Sequence, residues 1–327
     1  MSNRNASASA FGWDFQVNAA ILLLLENIEE AEHIRVEGAN EDIEISLNDK
    51  SKIYAQAKAV VKPDDTSNVI KKLKDAIETL NEDAKKSDGY LFTYITNSPN
   101  PFNDKRTIYY FTGKTHLKFD ELPDSAKKKI DDIIRKNKYT DLALHKFDIR
   151  VLPFYGDDLN NRYKEIKACI DEFLGKANIN ISGINNEIMQ VWQKDFFNNA
   201  TLQNTRISIT KDKIVWPLIV LVINDTAATD YKNDFNDDES NEIDHKYREV
   251  ITYSTLGYEN ISNVINGFLN SGESKKNFVN NHWNEYLNMI NKIEAEEKMK
   301  ESLIKIILYK IITQRECIRN IKRAANI

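Results

Sequence analysis

Glu41-Asp42-Ile43-Glu44-Ile45 and Tyr54-Ala55-Gln56-Ala57-Lys58 decide how this chain is read. Both runs alternate polar with apolar residues, the repeat of a strand that lays one face on a core. Asp42 and Glu44 share a face, with Ile43, Ile45 and Leu47 on the other. Tyr54, Gln56 and Lys58 share a face, with Ile53, Ala55 and Ala57 opposite. Asn48-Asp49-Lys50-Ser51-Lys52 has the composition of a hairpin loop between them. Pairing these strands gathers a carboxylate, an amide oxygen and an ammonium. That set suits one chemistry, holding a hard divalent cation against a phosphodiester. Mg²⁺ keeps several waters, so one or two protein oxygens and a substrate phosphate complete its shell. Asp42 supplies the charged ligand, and Gln56 either adds its carbonyl oxygen or orients a metal-bound water. Lys58 stabilises the phosphate charge or the attacking water.

The flanking sequence extends the pattern. Phe11-Gly12-Trp13-Asp14-Phe15-Gln16 opens an apolar helical run through Ala19-Ala20-Ile21-Leu22-Leu23-Leu24-Leu25. Ile34-Arg35-Val36-Glu37 reads as a short strand, followed by Gly38. The order is therefore helix, strand, strand with Asp, strand with Gln-x-Lys, helix. This resembles the PD-(D/E)xK nuclease superfamily, in the Mrr-like branch where Gln-x-Lys replaces Glu-x-Lys. Phe15-Gln16, Val36-Glu37-Gly38, Glu41-Asp42-Ile43 and Gln56-Ala57-Lys58 look like the N-terminal nuclease domain of bacterial antiphage effectors, known from cyclic-oligonucleotide signalling and from Lamassu-type SMC complexes. The likeness is good over 11–60 and extends less closely to about residue 175.

The resemblance implies Mg²⁺- or Mn²⁺-dependent cleavage of double-stranded DNA. Asp42 matches the metal-binding aspartate, Gln56 the second acidic position and Lys58 the catalytic lysine. Gln16 matches a helix position that is often acidic in related nucleases, and as an amide it is an accessory group. Glu37 is a candidate second carboxylate, or else a solvent-facing strand end. The metal set is thus Asp42, Gln56 and Glu37. Each motif has a plain counterpart: an Asp at a strand start is usually a turn residue, and a Lys on a strand face an edge guard. The full arrangement, not the tripeptide, carries the reading.

Composition bounds the function class. A chain of 327 residues buries a sizeable core and is long enough to divide in two. The net charge of −5 does not advertise a nucleic-acid binder, and it suggests that DNA binding needs assembly with a partner. Lys71, Lys72 and Lys74, Lys85 and Lys86, and Lys127, Lys128 and Lys129 either line a phosphate-contacting channel or are solvated helix faces, and the second is the default. Cys169 and Cys317 lack metal-ligand spacing and read as buried thiols of a reducing, cytoplasmic compartment. Residues 1–10 are small and polar, with no apolar signal region, and are expected to be a disordered tail. Leu22 to Leu25 lie in a run too short to span a bilayer, so no membrane partner is expected. No phosphate-binding glycine loop and no HExxH occur, and the five histidines are scattered.

The first domain is expected over 11–176, a mixed sheet flanked by helices. Helices are predicted over 65–86, 124–137 and 157–175, and strands over 90–96, 107–112 and 147–152. A mainly helical partner-docking domain follows over 177–327. There the apolar run 217–223 is a buried strand or a buried helix, and 225–244 is a polar acidic loop without EF-hand geometry. A long helix over 294–325 ends in Arg315, Arg319, Lys322 and Arg323, cations suited to a helix C-terminus. Effectors triggered by cyclic oligonucleotides carry a larger α/β sensor, the SAVED domain. A helical half therefore points to a Lamassu-like effector docked on an SMC-type ATPase and an accessory subunit, held inactive until released or assembled into a homo-oligomer. The alternatives are a nuclease gated by a nucleotide signal and a degenerate nuclease fold serving as a DNA-binding scaffold.

Overall fold

A computed structural model describes residues 6–38, 41–86, 90–252 and 256–327. It is a mixed α/β fold, a seven-stranded sheet flanked by helices and followed by a helical region. Two compact units are formed, one of Met1–Gly175, Asn185–Ile214 and Ala324–Asn326, the other of Lys176–Ile184, Val215–Arg323 and Ile327.

The first unit runs α1 (Ala6–Glu26), β1 (Ala31–Val36), β2 (Ile43–Leu47), β3 (Lys52–Lys58), α2 (Val69–Lys86), β4 (Leu91–Thr96), β5 (Thr115–Lys118), α3 (Asp124–Asn137), β6 (Phe147–Val151), α4 (Leu159–Arg162), α5 (Lys164–Lys176), α6 (Ile184–Ala200) and β7 (Ile209–Thr210). The sheet order is β5-β6-β4-β3-β2-β1-β7. The β2–β3 hairpin is antiparallel with Ile43 opposite Ala55 and Glu44 opposite Tyr54. α2 then carries the chain across so that β4 lies parallel to β3, as parallel neighbours require a crossover.

Helical spacing explains α2. Val69, Leu73, Ala76, Ile77 and Leu80 are all buried, and Leu73 to Leu80 join Tyr54, Phe92 and Tyr94 of the sheet in one core cluster. α1 is different. Every residue from Phe15 to Leu25 is buried, so this part of the helix has no solvent-facing side. At 21 residues it is long and apolar enough to cross a bilayer by length and composition, more than the short leucine run suggests. Here it packs along β1, β2 and β3, while Gln193 of α6 donates to Asn18 of α1 at 2.9 Å. Arg35 of β1, also buried, donates to the carbonyls of Asn199, Leu202 and Ile207, and so ties the segment after α6 to the sheet.

Three expectations are corrected here. Residues 6–10 begin α1 rather than a loose tail, and 1–5 lie outside the described residues. Residues 108–111 form a 3₁₀ turn, not a strand, because Thr107 N–H bonds Asp104 O and Tyr110 N–H bonds Thr107 O. Phe111 points into the core while Tyr109 is 87% exposed. The acidic stretch 225–244 is not a loop. It winds a 3₁₀ turn over Thr229–Lys232 and opens a helix at Asp237. Asn236 and Glu239 cap that helix reciprocally, each side chain accepting the other's backbone N–H at 3.0 and 2.9 Å. Asp237, Asp238 and Glu239 then sit in its first turn, where the helix dipole favours anions.

The second unit is helical: α7 (Lys211–Asn224), α8 (Asp237–Thr252), α9 (Tyr258–Ser271), α10 (Lys275–His282), α11 (Glu297–Thr313) and α12 (Arg315–Ala325). The apolar run around Pro217 resolves as helix α7, and the long terminal helix breaks in two at Gln314. α11 is the hub, buried from Leu303 to Ile312 at helical spacing and packed by α8, α9 and α10. Gly267 lets the Tyr286 hydroxyl come close, since a Cβ there would collide with it.

Asp83 of α2 is 3% exposed, and burial pushes its carboxyl up to about 6, partly offset by Lys86. Its pKa is therefore higher folded than unfolded. Below about pH 4 both states are protonated. Between there and about 6 the unfolded chain loses its proton first, so stability falls as pH rises, and the full cost stands above that window. Asp83→Asn should raise the urea midpoint at pH 7 and leave it nearly unchanged at pH 3.5, which denaturation at the two pH values will show.

Candidate functional site

The β2–β3 ladder stops at Ile43 and Ala55. One residue earlier the chain bends, and Asp42 stands at the head of β2 rather than within it. Its Oδ2 accepts the next N–H of β3, from Ala57, at 2.8 Å. The same oxygen accepts from Lys58 Nζ at 3.0 Å. A side chain thus replaces the backbone acceptor that a longer strand would have provided. Both partners stay reachable, with side chains 18% (Asp42) and 28% (Lys58) exposed. Glu44, on the same sequence face as Asp42, is engaged elsewhere, paired with Lys52 at 2.5 Å.

Gln16 of α1 fixes the other side of Asp42. Its Nε2 donates to the Asp42 carbonyl at 3.0 Å and to Glu37 Oε1 at 2.7 Å. The Asp42 carbonyl also accepts the Glu37 N–H at 2.8 Å. Glu37 is held at φ +53°, a left-handed conformation unusual for a residue with a side chain. Gly38 follows it and donates to the Glu41 carbonyl at 2.8 Å, closing the β1–β2 turn around residues 39–40, which lie outside those described.

Gln56 is 2% exposed and donates its amide to Glu41 Oε2 at 2.9 Å. Glu41 itself is 3% exposed. The structure therefore brings Gln16, Glu37, Asp42 and Lys58 into one hydrogen-bonded group, with Gln56 beside it through Glu41. Sequence reasoning missed two neighbours. One is Glu41, whose only signal is its place before Asp42. The other is Lys72 of α2, which donates to the Ala59 carbonyl. Burial, joined by the nearby Lys58 charge and opposed by Asp65, pulls the Lys72 ammonium below the usual lysine range. Of the other predicted basic clusters, Lys129 bonds Phe102 O, Lys127 bonds Asp120 O, and Lys85 pairs with Glu82.

The donor set can be weighed against a hard cation. Among the described residues no three His, Cys, Asp or Glu side chains converge into a cage. Mg²⁺ asks for less, one or two carboxylates with water and substrate oxygen making up the rest. The partly exposed carboxylate of Asp42, with its donors among the described residues both on Oδ2, meets that requirement. A cavity of about 680 Å³ in this unit lies elsewhere, along Trp13, Asp14, Val17, Gln193, Lys194 and Phe197.

No protein-family model and no curated protein matches the chain. Two solved structures are similar to it. One is the Acinetobacter baumannii Cap4 SAVED/CARF-domain containing receptor with the cyclic trinucleotide 2'3'3'-cAAA, at TM-score 0.40 and 11% identity over 75% of this chain and 59% of that one. The other is the same receptor described without the nucleotide, at TM-score 0.42 and 12% identity over 85% of this chain and 59% of that one. The chain thus spans about three-fifths of their length. Likeness of this size leaves function to the site itself.

Gln16→Leu keeps the side chain's bulk but removes both of its donated bonds. Leaving the Asp42 carbonyl and Glu37 short of a donor should lower stability by about 1–3 kcal/mol, read as a reduced urea midpoint with an unchanged slope.

Proposed function

We propose that the first unit is a Mg²⁺- or Mn²⁺-dependent phosphodiester hydrolase of the PD-(D/E)xK type, cutting double-stranded DNA as an antiphage effector. The observation that supports it most is the shared Oδ2 of Asp42, held at once by the Ala57 N–H and by Lys58 Nζ. A carboxylate fixed to the backbone of the neighbouring strand, with an ammonium held against it, is what this chemistry uses. Asp42 would hold the metal. When bound, the ion supplies Lewis acidity, lowering the pKa of a bound water and neutralising charge on the phosphate. The chain's own residues do the remaining work. Lys58, on the rigid third strand, presents its ammonium where a phosphate oxygen gains charge. Gln16 fixes the Asp42 backbone from below. Lys72 adds positive potential beside Lys58. A net charge of −5 opposes long-range attraction to DNA. The proposal therefore includes gating by partners, an SMC-type ATPase and an accessory subunit, or by self-assembly.

A second reading concerns the helical unit. A cavity of about 520 Å³ is lined there by Asn224, Thr226, Lys232, Tyr247, Arg248 and Lys310, among others. Lys310 lies 4.8 Å from the centre of the Tyr247 ring, and burial together with Lys232 lowers its pKa, with Asp244 and Asp225 opposing. Clustered cations on an aromatic wall suit a nucleotide phosphate and base. On this reading a nucleotide signal switches the hydrolase on.

Plasmid cleavage tests the first reading: Mg²⁺-dependent nicking, abolished by EDTA and reduced by at least about a hundredfold in Lys58→Ala and Asp42→Asn, with or without the proteins encoded beside it. Nicking that persists in both variants would sink it. For the second, cyclic di- and trinucleotides should raise the melting midpoint of the wild type and not of Lys310→Ala.

A further inference from the structure

Glu41 is the buried acid that the proposed mechanism leaves unused. Its Oε2 accepts one neutral donor, Gln56 Nε2, at 2.9 Å. Its Oε1 is buried and takes no hydrogen bond from any described residue. Its backbone is pinned by the Gly38 N–H, so the side chain is not a loose surface group. An ionised carboxylate at 3% exposure with a single amide donor is poorly compensated. A protonated one would bring an O–H with no acceptor on Oε1. Either way no described residue supplies the partner of that oxygen. Asp42 is the very next residue, and the donors it meets among the described residues crowd onto Oδ2. Among the described residues, two consecutive carboxylates therefore each keep one oxygen without a donor.

We infer that Glu41 is the second carboxylate of the metal site, and that Gln56 is the positioning residue that orients it. This inference rests on the metal-dependent reading above. It revises two of the expected ligands. Glu37 takes the Gln16 amide on Oε1 at 2.7 Å and is only partly buried, so water can satisfy its other oxygen. Gln56 turns its NH₂ toward Glu41, the only sense in which an amide can meet a carboxylate. The Gln-x-Lys sequence thereby acquires a cause. The carboxylate that the Glu-x-Lys pattern carries on the third strand is here supplied from the head of the second, and the amide on β3 holds it in place. The site would take a hard divalent cation through Asp42 and Glu41, with water and phosphate oxygens for the rest.

The test measures Mn²⁺ binding to the full chain by electron paramagnetic resonance, with melting midpoints taken in EDTA. Wild type should bind Mn²⁺. Glu41→Gln and Asp42→Asn should each weaken binding by at least about tenfold, and Glu37→Gln should stay near wild type. In EDTA, Glu41→Gln should melt no lower than wild type, since it removes an uncompensated buried charge, whereas a purely structural Glu41 would give a lower midpoint and unchanged Mn²⁺ binding. Gln56→Glu provides a second arm. Two facing carboxylates should lower the midpoint in EDTA and enlarge the gain on adding Mn²⁺, and an unchanged gain would count against the inference. Wild-type affinity in Glu41→Gln alongside loss in Asp42→Asn would overturn the role of Glu41 while leaving Asp42 in place. No Mn²⁺ binding by wild type would overturn the metal-dependent reading itself.

Discussion

A single unpaired backbone group organises the site. Where β2 stops at Ile43, the Ala57 N–H of β3 needs an acceptor, and the carboxylate of Asp42 provides it. This N–H is part-buried, where such groups are usually paired, and the carboxylate is the partner it has. The bond fixes a charged oxygen against the main chain of the neighbouring strand, not merely against another mobile side chain. Lys58 follows one residue later and meets the same oxygen. The Asp42 carbonyl, facing the other way, receives both Glu37 N–H and Gln16 Nε2. One residue thus joins β1, β2, β3 and α1.

Part of this was legible in the sequence. The alternation in 43–47 and 52–58 showed which side chains share a face, but not that β3 is buried on both faces from Ile53 to Gln56, and the helical stripe of α2 followed from its spacing. Patterns that reflect something other than burial misled. Tyr109 and Tyr110 look like strand residues, but turns anchored at Asp104 and Thr107 coil them outward. The acidic residues after Asp234 look like a solvated linker, yet three of them fill the first turn of a capped helix, where their charge is favourable. α7 is apolar on most sides, so no periodicity separates strand from helix, and Pro217 does not break it.

The site divides along the same line. That Asp42, Gln56 and Lys58 lie on paired strands follows from strand alternation and the hairpin loop, and their roles from the resemblance of the whole helix-and-strand arrangement. Glu41 does not, because its interest lies in one oxygen that nothing meets, a fact of three-dimensional neighbours and not of spacing. Lys72 was visible only as part of a lysine run. Its distinction from Lys71 and Lys74 is that its ammonium reaches back to the carbonyl just beyond Lys58.

The long buried run of α1, from Phe15 to Leu25, has a kinetic consequence. Its cover includes α6, and the Asn18–Gln193 bond joins residues 175 positions apart. Contacts of such separation form late and slow folding, because a long chain segment must close first. At bacterial or eukaryotic elongation rates of roughly 5–20 residues per second, α1 emerges on the order of ten seconds or more before α6 is made. Throughout that interval a 21-residue helix with membrane-like hydropathy stands without part of its shelter. Newly made chains should therefore depend on chaperones that hold apolar segments, and the demand ends only when Ala200 has left the ribosome.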